Sequence, residues 1–271
     1  MGLPGYHPDN FDETFRENVS VRQALVESLN LPAIEVVRRT GQKAFLELLQ
    51  ALGLSTLSET SNHYGLNLIL GGGEVRLLDL ARAYARIDDA LSPEAAYLVT
   101  EILSGNERDF AVFGHGQTDR RPKVAWKTGT SARSRDAWTV AWNKQYVVGV
   151  WRGNPDGSPC PGLTGIEDAA PLALEIFMEL PQLRESGPEL SPMRLNLAQR
   201  TVCAVSGLPI SPDCANGIED WHIPGISKNT PCKGRCRNQS KSTQQVVANP
   251  KILRPLNGQT FALLPGTKNP T

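Results

Sequence analysis

The sequence predicts an α+β fold in which a run of helices precedes a small antiparallel sheet. Apolar residues recur at helical spacing through roughly the first hundred residues. Three strand-like runs then follow at residues 124–131, 136–142 and 146–151, and helical spacing returns at 168–180. We expect these segments to form one domain over residues 1–185.

The helices are predicted from their start and stop signals. Ser20 opens the first helix with a capping-box pattern, and Pro32 fits the first turn of the second helix. The glycine run at residues 71–73 lacks the G-x-x-x-x-G-K-[ST] pattern of a phosphate loop and predicts a tight backbone turn. Apolar residues from Leu77 to Ile87 predict a fourth helix, and Ser92, followed by Pro-Glu, begins the next.

Two short polar side chains lie at the junction between the first two helices. Pro32 disfavours the helical conformation for Leu31, so Ser28 and Asn30 fall between helices, where they can project into a cleft. An alternative is that Asn30 simply caps the second helix.

The first strand carries Lys127, Thr128, Gly129 and Thr130. This sequence puts a cation, two hydroxyls and an unobstructed backbone along one strand edge, which suits a ligand bearing a carboxylate and an amide. The same four residues also fit an ordinary strand with an exposed lysine. A functional interpretation of this motif therefore needs support from the rest of the chain.

Composition limits the partners and the compartment. Lys plus Arg equals Asp plus Glu, 28 each, which argues against nucleic acid or an anionic membrane as the main partner. No apolar run reaches the length of a membrane span, and no signal peptide is visible at the N-terminus. The protein is therefore expected to be cytoplasmic, or to have its targeting segment outside this chain.

The cysteines favour an oxidising compartment. Four of the five cluster within a Pro/Gly-rich segment, residues 186–245, that we interpret as a linker: Cys203, Cys214, Cys232 and Cys236. We expect disulfides, with the pairing left open. Zinc is the alternative, since Cys232 and Cys236 form a C-x3-C pair, but Cys203 and Cys214 form a C-x10-C and only His222 is nearby. Cys160 is left over, and residues 246–271 resemble the start of a truncated β-module.

The order of these motifs resembles a known family. Ser28-Leu29-Asn30 precedes Lys127-Thr128-Gly129-Thr130, as in the transpeptidase domain of class A penicillin-binding proteins. The segments 202–209 and 212–214 resemble the tail of the penicillin-binding protein 1C branch. The resemblance covers nearly the whole chain and implies a partial β-lactamase/transpeptidase-like fold with a Cys-rich C-terminal extension.

The resemblance also implies chemistry without metal or cofactor. Members acylate a serine of an S-x-x-K motif with the D-Ala–D-Ala end of a peptidoglycan stem peptide, and β-lactams trap that acyl-enzyme. Ser28 would relay a proton, Asn30 would bind the substrate amide, and Lys127 would supply positive charge beside Ser28. Substrate binding would fall to Thr128 and Thr130 at the terminal carboxylate, and to Gly129, which lets substrate approach the strand.

One part of the family pattern is missing, because no serine here is followed by lysine three residues later. The chain therefore looks like the C-terminal portion of a longer protein, inactive alone. The nucleophile, a glycosyltransferase domain and a membrane anchor would lie upstream, and the whole would face the periplasm. The alternatives are a non-catalytic module that binds peptidoglycan or a partner, and an unrelated module with coincidental motifs. The unrelated module would be favoured if Ser28 and Lys127 lay far apart.

Overall fold

The computed structural model describes residue 10 and residues 19–113, 124–181, 192–214 and 216–234. All of these belong to one compact unit, which extends from Met1 to Cys236. The predicted β-module at 246–271 and Cys236 lie outside the described residues. The described part combines helices with antiparallel strands, which is the predicted α+β class.

The helices have the following bounds: α1 Val21–Val26, α2 Asn30–Thr40, α3 Gln42–Ala51, α4 Ser61–Tyr64, α5 Leu77–Ala85, α6 Ile87–Ala90, α7 Pro93–Ser104, α8 Asn106–Phe113 and α9 Ala170–Glu179. A 3-10 helix, Gly65–Leu70, follows α4 and ends at Gly71, which is left-handed at φ 89°. That glycine makes the tight turn predicted for the glycine run.

The predicted helix starts are largely confirmed. Ser20 Oγ accepts a hydrogen bond from the Gln23 N–H at 3.0 Å, and Ser92 Oγ accepts from the Ala95 N–H at 3.2 Å. The capping box at Ser20 is only half formed, because the Gln23 side chain donates to Glu27 instead. The predicted fourth helix is interrupted at Arg86, which separates α5 from α6.

Three antiparallel strands form the main sheet in the order β1 (Ala125–Thr130), β2 (Asp136–Trp142) and β3 (Val147–Gly153). The register pairs Lys127 with Val140 and Val140 with Gly149. All three predicted strands are therefore present, shifted by no more than two residues at their ends. Within the described residues β1 is an edge strand, so its other side pairs with no described strand.

Each face of the sheet packs against helices. On one face Trp126, Ala141 and Val148 pack against buried residues of α9, including Phe177. On the opposite face Ala125, Val140 and Trp142 share a core with residues of α5 and α7: Leu80, Tyr84, Val99 and Leu103. Because side chains alternate along a strand, Lys127 lies on the same face as Ala125, toward α5 and α7.

The helix after the sheet starts earlier than predicted. A π-helix, Gly165–Ala169, runs directly into α9, so the helical segment begins three residues before Asp168. Thr164 caps it by accepting from the Glu167 N–H at 3.1 Å. A Cβ on Gly165 would lie 2.5 Å from the Gly129 carbonyl oxygen, so this glycine lets the π-helix approach β1 closely.

The segment interpreted as a linker contains a two-stranded antiparallel ribbon, β4 (Ala198–Cys203) paired with β5 (Gly217–His222). Neither strand was predicted. Arg22 of α1 attaches this ribbon to the helices: its Nη2 atom lies 2.6 Å from Asp220 Oδ1 on β5 and 2.7 Å from Glu101 Oε2 on α7. The ribbon is thus joined to the helical part by a partly buried ion pair.

Candidate active site

Ser28 and Lys127 meet between the helices and the sheet. Ser28 sits in the turn between α1 and α2, in the left-handed region at φ 55°, an uncommon conformation for a residue other than glycine. Lys127 extends from β1 and its Nζ donates a hydrogen bond to Ser28 Oγ at 2.5 Å. The structure therefore brings together two predicted site residues that are 99 positions apart in sequence.

The Lys127 ammonium is held in a setting that favours its neutral form. Its Nζ also donates to the Thr128 carbonyl oxygen at 2.7 Å. Burial lowers the pKa of Lys127 from 10.5 to about 7, and the positive charge of Arg108 acts in the same direction. Near neutral pH this amine can both donate and accept a proton.

Arg108 is a residue of the site that the sequence analysis missed. It is only 1% exposed, and its guanidinium lies 4.5 Å from the centre of the Trp126 ring. Its Nη1 donates to the Val26 carbonyl oxygen, and its Nη2 donates to Thr128 Oγ1 at 3.2 Å. Burial lowers the pKa of Arg108 to about 10, so it remains a cation at neutral pH.

No local signal marked Arg108 in the sequence. It belongs to none of the motifs, and its position in α8 relative to β1 depends on how the helices fold back onto the sheet. A charged residue followed by another in a helix is ordinarily read as solvent-exposed.

The other β1 residues present hydroxyls and backbone at the strand edge. Thr128 Oγ1 accepts from Arg108, and Thr130 Oγ1 accepts from the Gly165 N–H at 2.9 Å. Each hydroxyl accepts its bond in this way and keeps its own proton for donation to a ligand. Gly129, between them, is exposed, so backbone is accessible at that point.

Asn30 is the first residue of α2, two positions after Ser28, and is partly buried. The N-cap is Leu29, so the alternative in which Asn30 caps the helix does not describe this structure. The backbone N–H of Leu31 is instead bound by Asn10 Oδ1 at 3.1 Å. The capping role is thus met from outside the helix, by a buried residue 21 positions upstream.

The turn that follows β1 is fixed by Asp136. Its Oδ2 accepts from Ser131 Oγ at 2.7 Å, and its Oδ1 accepts from the Trp151 indole N–H at 2.9 Å. The intervening residues Arg133 and Ser134 adopt positive φ angles, 62° and 52°. This carboxylate therefore holds the loop at the C-terminal end of the K-T-G-T segment against β3.

The cysteine prediction is not confirmed within the described residues. No disulfide joins any two of the described cysteines, although Cys203, Cys214 and Cys232 converge beside the ribbon. Cys160 lies apart from them, packed against the core beneath α9. His222 pairs with Ala198, at the far end of the ribbon from Cys203, so it is not the nearby ligand that the sequence suggested.

Comparison with models of known protein families gives no match. Individual proteins do match: penicillin-binding protein 1C of Escherichia coli (strain K12) is 32% identical over 247 residues, which are 83% of this chain and 32% of that protein. Penicillin-binding protein 1A of Clostridium botulinum (strain Hall) is 25% identical over 193 residues, 60% of this chain and 23% of that protein. The chain thus spans a third or less of the length of these relatives.

The fold is shared with a solved structure. The crystal structure of penicillin-binding protein 1A from Haemophilus influenzae matches with a TM-score of 0.63 and 19% sequence identity, over 86% of this chain and 44% of that one. Among the described helices, none has both the length and the apolar character needed to cross a bilayer. Over most of its length, the chain is homologous to class A penicillin-binding proteins.

Proposed function

We propose that this chain supplies the S-x-N and K-T-G parts of a peptidoglycan D,D-transpeptidase site. The observation that carries the proposal is the hydrogen bond from Lys127 Nζ to Ser28 Oγ at 2.5 Å, with the pKa of Lys127 lowered to about 7. A general acid or base works best when its pKa lies near the working pH. Homology to penicillin-binding proteins supports a role in peptidoglycan synthesis.

In the proposed reaction a serine of an S-x-x-K motif gives its hydroxyl proton to an adjacent base and attacks the carbonyl carbon between the two terminal D-alanines of a stem peptide. No such motif occurs in the 271 residues, so this serine belongs to another part of the protein. As the C–N bond breaks, Ser28 passes a proton to the leaving amine, and Lys127 replaces that proton on Ser28. An amine of a neighbouring strand then attacks the acyl carbon and the ester bond to the serine breaks. The proton that the amine loses returns to the serine oxygen, which regenerates the serine.

The β1 edge would hold the substrate during these steps. The Thr128 and Thr130 hydroxyls donate to the terminal carboxylate, and Asn30 binds the substrate amide. The exposed backbone at Gly129 allows the peptide to lie along the strand. The Thr130 N–H forms half of an oxyanion hole, and one such donor is worth about 3 to 4 kcal/mol in the transition state.

The partners and location follow from this chemistry. The substrate is a peptidoglycan stem peptide, so the site faces the periplasm or the outer face of the inner membrane, on a protein anchored elsewhere in its sequence. β-Lactams resemble the D-Ala–D-Ala end and would acylate the same serine. Without that serine the chain is inactive alone.

Covalent labelling with a fluorescent penicillin tests the proposal. We expect no labelling of this chain and labelling of a longer form in which an S-x-x-K segment precedes it. In the longer form Ser28→Ala and Lys127→Ala should each slow labelling on the order of 10²-fold, because each removes a proton-transfer group.

Matched controls are available on exposed surface. Ser58 is exposed, and the Lys43 side chain is 82% exposed on α3. Ser58→Ala and Lys43→Ala should label at the unmodified rate. Labelling that is unaffected by Lys127→Ala would refute the assigned roles. A folded longer form that never labels would favour the non-catalytic module that binds peptidoglycan or a partner.

A further inference from the structure

Three cysteine sulfurs converge next to the β4–β5 ribbon, far in sequence from the proposed transpeptidase residues. The Sγ atoms of Cys203, Cys214 and Cys232 all lie within 4.8 Å of one another. Each comes from a different segment: the end of β4, the connection between the strands, and the chain after β5. We propose that these three sulfurs bind a thiophilic divalent metal ion, with Zn²⁺ as the natural occupant.

The distances suit a metal. In a tetrahedral site with Zn–S bonds of about 2.3 Å, neighbouring sulfurs are roughly 3.8 Å apart. The three sulfur–sulfur distances do not exceed 4.8 Å, so a small movement of the sulfurs would bring them to that spacing. A disulfide would use two of the sulfurs and leave the third thiol beside it, whereas one metal ion uses all three. One further ligand, from water or protein, completes the tetrahedron.

The backbone around each cysteine is folded to present its sulfur. After Cys203 the chain turns tightly, with the Gly207 N–H donating to the Cys203 carbonyl oxygen at 2.9 Å. The Cys214 N–H closes a second turn by donating to the Ser211 carbonyl oxygen at 3.0 Å. The Cys232 N–H donates to the Pro209 carbonyl oxygen at 2.8 Å, which fixes the chain after β5 against the connection between the strands. Pro209 itself forms a β-bridge with Val202, next to Cys203.

Two contacts near the sulfurs support ligand positioning. Ser211 Oγ lies 3.4 Å from Cys214 Sγ, so its hydroxyl can donate to a thiolate there. Hydrogen bonds of this kind orient metal ligands and adjust their basicity. Gly234 has φ +74°, and a Cβ on it would lie 2.6 Å from the Asp213 Cβ, so the chain after Cys232 packs tightly beside Cys214.

The ribbon also needs a cross-link for its stability. In the described part of residues 192–234 the buried residues are Val202, Cys203 and Cys232. Such a small core is insufficient for a two-stranded ribbon, which is marginal on its own in water. Small modules of this kind are commonly stabilised by a structural metal. We therefore assign the metal a structural role that holds the three segments together.

The site is tested by metal content and by cobalt spectroscopy on the full chain, purified without chelator. We expect one zinc ion per chain, and substitution with Co²⁺ to give thiolate charge-transfer absorption and the visible bands of tetrahedral cobalt. Cys203→Ser, Cys214→Ser and Cys232→Ser should each lose the metal and the charge-transfer band. Cys160→Ser is the control and should keep both, since Cys160 packs elsewhere.

A measurement on the unmodified chain covers the case in which these variants fail to fold. Chelation should release the zinc, make the three thiols reactive to alkylation and lower the melting temperature; added Zn²⁺ should reverse this. Two outcomes would overturn the proposal: a chain that contains no stoichiometric metal while its thiols are reduced, or a mass showing that two of the three cysteines are joined by a disulfide. Penicillin labelling is a separate readout, so neither outcome bears on the proposed function.

Discussion

The side chain of Lys127 links the site to the pH dependence of folding. Its pKa is about 7 in the folded chain and close to 10.5 in an unfolded one. Between these pH values the unfolded chain binds more protons, so the free energy of unfolding rises with pH, by at most about 1.4 kcal/mol per pH unit. Below about pH 7 both states carry the proton, and this dependence disappears.

Lys127→Met should therefore flatten the rise in stability between about pH 7 and 10. Urea unfolding at several pH values, for the unmodified chain and this variant, measures the difference, and groups common to both chains cancel in it. The exposed Lys43→Met is the control and should keep the original slope. Equal slopes for the unmodified chain and Lys127→Met would contradict the lowered pKa.

Arg108 is expected to contribute to stability more than its exposed counterparts. Its removal takes away the guanidinium that donates to the Val26 carbonyl oxygen and packs over the Trp126 ring. Arg108→Ala should lower the free energy of unfolding by about 2 to 4 kcal/mol. It should also raise the pKa of Lys127, since a nearby positive charge is removed.

Urea unfolding and the NMR titration of the Lys127 side chain test these two effects. Arg38→Ala is the matched control, because the Arg38 side chain is 64% exposed and pairs with Glu35 on its own helix. It should change stability by no more than about 0.5 kcal/mol. An Arg108→Ala chain as stable as the Arg38→Ala chain would show that the buried contacts contribute little.

At the level of helices and strands, local sequence signals were sufficient to predict an element where its own residues determine its structure. The cap at Ser92 followed by proline gave α7, and the alternation of apolar residues gave the three strands with small errors at their ends. The interruption between α5 and α6 was missed because apolar spacing continues across Arg86. The π-helix before α9 was missed because it depends on the close approach of Gly165 to β1. No local sequence pattern reveals a contact between segments this far apart.

The ribbon was missed for a different reason. β4 and β5 have few buried residues, and their sequences, Ala198–Cys203 and Gly217–His222, show little apolar alternation. Their pairing depends on the turns around the cysteines and on contacts with α1 and α7. The composition of this segment, rich in proline and glycine, therefore indicates a linker and gives no sign of the two strands.

The candidate site also contains residues that local sequence predicts and residues that only the fold brings together. The motif order predicted that Ser28 and Lys127 would lie close together, since S-x-N and K-T-G are recognisable sequence motifs. Arg108 and Asn10 belong to no such motif, and each acts through a contact between segments distant in sequence.

For the molecule as a whole, Arg22 joins the ribbon to the helices. Its side chain is 13% exposed and contacts both Asp220 and Glu101. Arg22→Ala would leave these two carboxylates facing each other without a cation, and charged hydrogen bonds of this kind are worth about 1.5 to 3 kcal/mol. The ribbon should then open independently of the rest of the chain.

Amide hydrogen exchange measures that opening. In Arg22→Ala the amides of β4 and β5 should exchange roughly tenfold faster or more, while those of β2 should be unchanged. Arg39→Ala removes an exposed pair with Glu35 and should leave both sets unchanged. Unaltered exchange in the ribbon after loss of Arg22 would mean that other contacts hold it in place.

The backbone at Ser28 has a consequence for how such chains evolve. A left-handed conformation costs a serine roughly 1 kcal/mol or more that a glycine would not incur. Glycine would remove this strain, but it would also remove the hydroxyl that accepts from Lys127. Under the proposed function, selection for stability and selection for chemistry therefore act in opposite directions at this one position. In lineages released from the chemical requirement, we expect drift toward glycine at residue 28 before other site residues change.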